Sequence, residues 1–142
     1  MVQRRRGAVV NVASGAAVAL SRDMPAYCAS KAAVVALSRC LRADWADAGV
    51  GVSAICPGLI ATNIATANRM VGPLAGRNEQ AQRRMDRGRS PDTVAKAIVR
   101  AAERDSELVP VGIDAVIAHR LLPFVPGPIK SRLTRISLAD HL

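Results

Sequence analysis

The chain has 142 residues, half of them apolar and 22% charged, which excludes a disordered tract and suits one modest domain with a single core. Its formal charge is +9, with arginine clumps at residues 4–6 and at Arg83, Arg84, Arg87 and Arg89, yet its aromatics are only Tyr27, Trp45 and Phe124. Without stacking platforms, a zinc-finger spacing or an RNP pattern, the clumps read as solvated surface and exclude a nucleic-acid partner, an anionic partner of another kind being the minor alternative.

In chain order, residues 7–13 are a short β-branched run between Gly7 and Ser14-Gly15, the pattern of a buried strand. The basic start before it imitates a secretory leader, but Asn11 and Ser14 interrupt the apolar stretch. A loop then leads to Pro25, which opens an alanine-rich helix running to about Ala48, with Asp23 near its positive end and Gly49 as its stop. Ala26, Ala29, Ala32, Ala33 and Ala36 permit close approach of another backbone, and Leu37, Leu41 and Trp45 follow at four-residue steps as an apolar stripe. Residues 50–56 form a second strand, ended by Pro57-Gly58. Residues 63–89 are mixed, with polar helical pieces between Gly72-Pro73, Gly76 and Gly88. Ser90-Pro91-Asp92 caps a further helix whose buried face is Val94, Ala97, Ile98, Ala101 and Ala102, and residues 108–111 are a third strand. A last helical stripe (Ile113, Val116, Ile117, Leu121) precedes Pro123, Pro126 and Pro128.

The order strand, helix, strand, helix, strand implies an α/β fold with a parallel sheet, right-handed crossovers and helices on both faces. Three strands with two helices cannot cover both faces of a complete sheet. Residues 1–112 therefore read as half a domain, and residues 113–142 as a helical and proline-rich tail. No uncharged apolar run approaches the roughly 20 residues of a membrane span. Cys28, Cys40 and Cys56 are widely spaced without a CxxC pair, which points to a reducing, cytoplasmic setting, and the isolated His119 and His141 carry no metal signature.

The residues that carry chemistry start with Tyr27 and Lys31, four apart on one helical face. A phenol is a poor proton donor or acceptor at neutral pH, and an ammonium about 6 Å away, at an effective dielectric near 20, favours the phenolate by roughly 2–3 kcal/mol. Such a pair by itself is common by chance. Here Ser14 lies at the end of the preceding strand, where a loop can bring its hydroxyl beside the phenol, and Pro57-Gly58-Leu59-Ile60-Ala61-Thr62 lies at the end of the next. In an open parallel sheet, ligands bind outside the carboxyl ends of the strands, and all three features map to that edge.

The segments Val-Val-Asn-Val-Ala-Ser14, Tyr27-Cys-Ala-Ser-Lys31-Ala-Ala and Cys-Pro57-Gly58-Leu-Ile-Ala-Thr62 resemble the catalytic half of the short-chain dehydrogenase/reductase family. The resemblance implies a partial Rossmann-type, doubly wound sheet and an enzyme that transfers hydride between NAD or NADP and an alcohol or carbonyl substrate. It makes Tyr27 the acid/base, while Lys31 holds the nicotinamide ribose and favours the phenolate, and Ser14 orients the substrate oxygen. The backbone around Pro57, Gly58 and Ile60, with the Thr62 hydroxyl, embraces the nicotinamide end. The family's glycine-rich phosphate turn and ribose selector are absent, so NAD and NADP are not distinguished; the GxGxxA match at residues 49–54 leads into a strand and lacks the required context. The expectation is therefore a truncated fragment of an oxidoreductase, the alternative being a non-catalytic remnant or interaction protein that binds no cofactor. Ile64, Met70, Val71, Leu74 and Met85 make residues 63–89 a substrate-lid segment for an apolar alcohol or ketone, or else ordinary packing. In this family the helix bearing Tyr and Lys often packs against its symmetry mate, which implies a homo-oligomer for the complete protein; the Leu37, Leu41, Trp45 stripe would serve there or be buried against its own chain.

Overall fold

In a computed structural model, which describes residues 1–67 and 70–136, the three expected strands form one parallel sheet. They are β1 (Gly7–Val12), β2 (Val50–Pro57) and β3 (Leu108–Val111), in the order β1-β2-β3. The register sets Gly7 opposite Val50 and Val12 opposite Ile55, then Ala54 opposite Leu108 and Pro57 opposite Val111. Among the described residues six α-helices accompany the sheet: α1 (Pro25–Trp45), α2 (Ile64–Ala67), α3 (Asn78–Met85), α4 (Pro91–Arg104), α5 (Ile113–Leu121) and α6 (Gly127–Arg135). His141 lies outside the described residues.

β2 is central and almost wholly buried, because side chains leave it alternately toward two helical layers. Ser53 and Ile55 face α4: the Ser53 hydroxyl lies 3.5 Å from the Ala101 carbonyl, and Ile55 forms a core with Ala101 and Val111. Val10, Val94, Ala97, Ile98 and Val109 pack around that core, so the expected inner face of α4 is observed at Val94, Ala97, Ile98 and Ala101, whereas Ala102, expected on it, lies one position past that face and is exposed. The other face of the sheet meets α1, where the Asn11 amide donates to the buried Ser38 hydroxyl at 3.0 Å. Ser38 in turn donates to the Val34 carbonyl at 2.7 Å, which satisfies a polar pair inside an alanine-rich contact.

Local chemistry sets the boundaries. Pro25 occupies the first turn of α1, and the helix tightens into a 3₁₀ turn at Ala46–Ala48 before Gly49, which takes φ 64. Ser90 caps α4, accepting from the Asp92 N–H at 3.2 Å. On α1 the stripe of Leu37, Leu41 and Trp45 divides: Leu37 is exposed beside Ala26, Ala29 and Ala33, while Leu41 and Trp45 are half-buried. Residues after Pro126 form α6, an additional helix that the three closely spaced prolines obscured.

Candidate active site

The site assembles where β1 and β2 end. The Ala13 N–H donates to the Ile55 carbonyl at 2.7 Å, so the chain leaves the sheet at Ser14. Ser14 is extended, and its Oγ accepts from the Ala16 N–H at 3.2 Å, opening a 3₁₀ turn at Gly15–Ala17. That bond uses a lone pair of the hydroxyl and leaves its proton to be donated. Directly beneath, burial pushes the Cys56 thiol up, the Ser14 backbone N–H opposing, so this sulfur is held as a neutral thiol.

Tyr27 stands in the first turn of α1 and is half-buried. The Lys31 ammonium lies 5.7 Å from the centre of its ring and donates to the Val12 carbonyl at 3.3 Å. One side chain thus ties the start of α1 to the carboxyl end of β1, two residues before Ser14. Among the described residues no hydrogen bond joins Ser14 Oγ to the Tyr27 phenol.

The Pro57–Thr62 stretch is fixed from three sides. The Gly58 N–H donates to the Val111 carbonyl at 2.9 Å, and the Leu59 N–H donates to Asp114 Oδ2 at 2.7 Å. Ile60 bridges Arg89, the Ala61 N–H donates to the Arg89 carbonyl at 2.8 Å, and the Gln82 amide donates to the Thr62 carbonyl at 2.7 Å. Glycine is needed at two of the contacts. A Cβ on Gly88 would stand 2.8 Å from the Ile60 and Ala61 backbone, and one on Gly58 would collide with the Asp114 carboxylate. Gly15 packs on the same turn: a Cβ there would lie 3.4 Å from the Pro57 carbonyl oxygen.

The short chain dehydrogenase family model matches residues 1–70. "Probable oxidoreductase EphD" of Mycobacterium tuberculosis is 37% identical over 139 residues, which cover 92% of this chain and 24% of that protein. The chain belongs to the short-chain dehydrogenase/reductase family. A member of this family from Burkholderia phymatum, solved in complex with NAD, is 27% identical and superposes with a TM-score of 0.72 over 96% of this chain and 52% of that one. A short chain dehydrogenase of Burkholderia cenocepacia, in complex with NADP, is 24% identical and shares the fold at a TM-score of 0.71, over 93% of this chain and 50% of that one. The chain therefore spans about a quarter of the curated relative's length and about half of each solved chain.

In this short-chain dehydrogenase/reductase, sequence reasoning missed Asp114 and Arg89. Asp114 lies in the first turn of a helix that follows a strand, the place where an acid is favoured, and at the ligand-binding edge of the sheet. That signal was in the sequence. Nothing local announced that its carboxylate would reach across to Leu59, or that Arg89 would pair with the backbone of the Pro57 turn.

Proposed function

We propose that the protein carrying this chain is an NAD(P)-dependent oxidoreductase that moves hydride between nicotinamide and an alcohol or carbonyl substrate, with Tyr27 as the acid/base. The observation that carries this reading is the position of Lys31, an ammonium beside the Tyr27 ring whose bond goes to a neutral carbonyl at the carboxyl edge of the sheet. Among the described residues no carboxylate pairs with this ammonium, which leaves it available to whatever binds beside the phenol. The NAD complex of the Burkholderia phymatum relative supports the same cofactor class.

The residues at this edge fit the nicotinamide-ribose end of the cofactor. Lys31 has two further N–H groups for ribose hydroxyls, and the Pro57-Gly58 turn with Ile60 and Thr62 supplies a preset backbone wall. For the adenine and pyrophosphate end, no glycine-rich turn that follows a strand and opens a helix occurs among the described residues. When bound, the nicotinamide supplies hydride exchange at the carbinol carbon. In the oxidative direction Tyr27 Oη takes the proton of the substrate hydroxyl, and in the reductive direction it returns one to the carbonyl oxygen. Ser14 keeps its bond from the Ala16 N–H while donating its own proton to that same oxygen, which sets the oxygen's place between the two hydroxyls.

Residues 63–89 are the substrate lid in this reading. Its helices are joined through Gln82 and through Asn78, whose amide donates to the Ala65 carbonyl at 2.7 Å; Leu74 points inward, while Ile64 and Val71 remain exposed for an apolar substrate. The outward face of α1, with Ala26, Ala29, Ala33 and Leu37, is the homo-oligomer surface. A reducing, cytoplasmic setting suits the three free cysteines.

The test is Tyr27→Phe in the complete protein, which should lower turnover by at least about 10²-fold while leaving cofactor affinity within a few-fold. Lys31→Ala should damage turnover and cofactor affinity together. Undiminished turnover in Tyr27→Phe would end the acid/base assignment. Absence of NAD(P) binding by the complete wild-type protein would favour the non-catalytic remnant.

A further inference from the structure

Helix α5 is apolar on its outside. Its buried residues are the small Ala115 and Ala118, whereas Ile113, Ile117 and Leu121, spaced by four, are 67%, 51% and 57% exposed. The chain goes on to Phe124, which is 86% exposed, and to α6, where Ile129 and Leu133 share one side; they and Ile136, which follows the helix in extended backbone, are each about half exposed. Seven large apolar side chains within 24 residues therefore face water, a surface that monomeric proteins rarely leave uncovered. α6 itself has no extensive packing against another described element; Lys130 moors it by donating to the Pro123 carbonyl at 3.2 Å.

Charge decides what covers this face. Residues 113–136 carry Arg120, Lys130, Arg132 and Arg135 against one acid, Asp114, whose carboxylate is turned to the Leu59 N–H. A second copy seated on the same surface by two-fold symmetry would set these cations against their own images, in a chain whose formal charge is already +9. Apolar side chains interleaved with arginine and lysine match instead the boundary between acyl chains and anionic headgroups.

We propose that the α5–α6 face docks on an anionic bilayer surface, with Phe124 and the two isoleucine–leucine stripes at the acyl boundary and Arg120, Arg132 and Arg135 among the phosphates. Docking is peripheral, since no helix among the described residues is long and apolar enough to cross a membrane. It brings the start of α5, and with it the Asp114–Leu59 contact of the candidate site, toward the lipid.

The test is flotation of the purified protein with vesicles of phosphatidylcholine alone or with about 30% phosphatidylglycerol, at low salt and near 1 M salt, where the Debye length falls to about 3 Å. Protein should float with the anionic vesicles at low salt and stay behind with the neutral ones. Arg120→Gln, Arg132→Gln and Arg135→Gln, which leave the apolar face and the fold intact, should each weaken partitioning about fivefold, and Leu121→Gln with Phe124→Ser should abolish it at unchanged circular dichroism. Three results would overturn the proposal: no flotation with anionic vesicles, equal flotation with neutral ones, or a lipid-free dimer that Leu121→Gln with Phe124→Ser dissolves. None of these readouts depends on catalysis.

Discussion

The two ends of β2 meet the same packing problem with different chemistry. Near the amino end, Gly51 leaves room for the Asp105 carboxylate; just past the carboxyl end, Gly58 leaves room for that of Asp114. Asp105 is the left-handed cap of α4, at φ 50, and takes a two-pronged grip from the Arg42 guanidinium at 2.7 and 2.8 Å. Arg42 also donates to the Val52 and Asp105 carbonyls at 3.1 and 2.9 Å, which joins α1, β2 and α4 in one clamp. Beside it, Arg39 pairs with Glu107 at 2.9 Å. At this end Arg42 and Arg39 each have a carboxylate. At the other end Asp114 is satisfied by a neutral N–H, and Lys31 by a neutral carbonyl. The Arg42 and Arg39 charges are neutralised at one end, whereas at the other the Lys31 ammonium meets no carboxylate among the described residues.

Matched glycine substitutions test that division and carry the largest effect. Gly51→Ala and Gly58→Ala each force a methyl against a carboxylate, and each should cost about 1–3 kcal/mol of stability in denaturant titration. Only Gly58→Ala also moves the Pro57 turn of the candidate site, so under the proposed function it should lower kcat/KM of the complete protein by about 10²-fold. Asp114→Ala in the Gly58→Ala background should restore part of the stability by vacating the space. Equal losses of activity at the two glycines would break the comparison.

A smaller effect is expected from the clamp. Arg42→Ala should cost about 1–2 kcal/mol, a figure held down because the Asp105 side chain is 59% exposed. The hydrogen bond from Arg42 lowers the Asp105 carboxyl below its ordinary 3.8, burial opposing and the guanidinium charge adding. A carboxylate with a depressed value in the fold contributes stability that is fully present above the unfolded value and is lost as pH falls through the folded one. The clamp should therefore weaken below about pH 4, and Arg42→Ala should flatten the acid limb of the stability curve there. An unchanged acid limb would remove the clamp from the account.

What was legible in the sequence was local. Pro25, Gly49 and the Ser90 cap mark helix boundaries because each acts within one turn of itself, and the β-branched runs give the strands for the same reason. The segments ending at Ser14, beginning at Tyr27 and ending at Thr62 were readable as a set, since each lies at a strand end or one turn into a helix. The Arg42–Asp105 and Leu59–Asp114 contacts span 63 and 55 residues, and no short-range pattern encodes them. Periodicity announced a helix at Ile113, Val116, Ile117 and Leu121 without revealing which side meets the protein. The fold turns Ile113, Ile117 and Leu121 outward and leaves Val116 half-buried, because Ala115 and Ala118 allow the closer approach.

The smallest expected effect lies on the inner side of α5 and separates the two ends of the molecule along the pH axis. His119 Nε2 is buried with no hydrogen-bond partner among the described residues. Burial pushes the imidazole below its ordinary 6.5, and the Arg39 charge pushes it the same way. The folded state therefore holds the neutral ring, while the unfolded chain takes up a proton first as pH falls. This lowering leaves stability untouched above about pH 6.5 and erodes it progressively below, in a window well above that of the Asp105 clamp. His119→Leu removes the titration at a similar volume, so the fall in Tm between neutral pH and about pH 5 should be smaller in the variant than in the wild type. Arg42→Ala should leave that fall unchanged, since its carboxylate titrates lower. If Arg42→Ala altered the mild-acid limb and His119→Leu did not, the assignment of the two pH windows would be reversed, and α5 would owe its seat to the clamp end and not to the packing around His119.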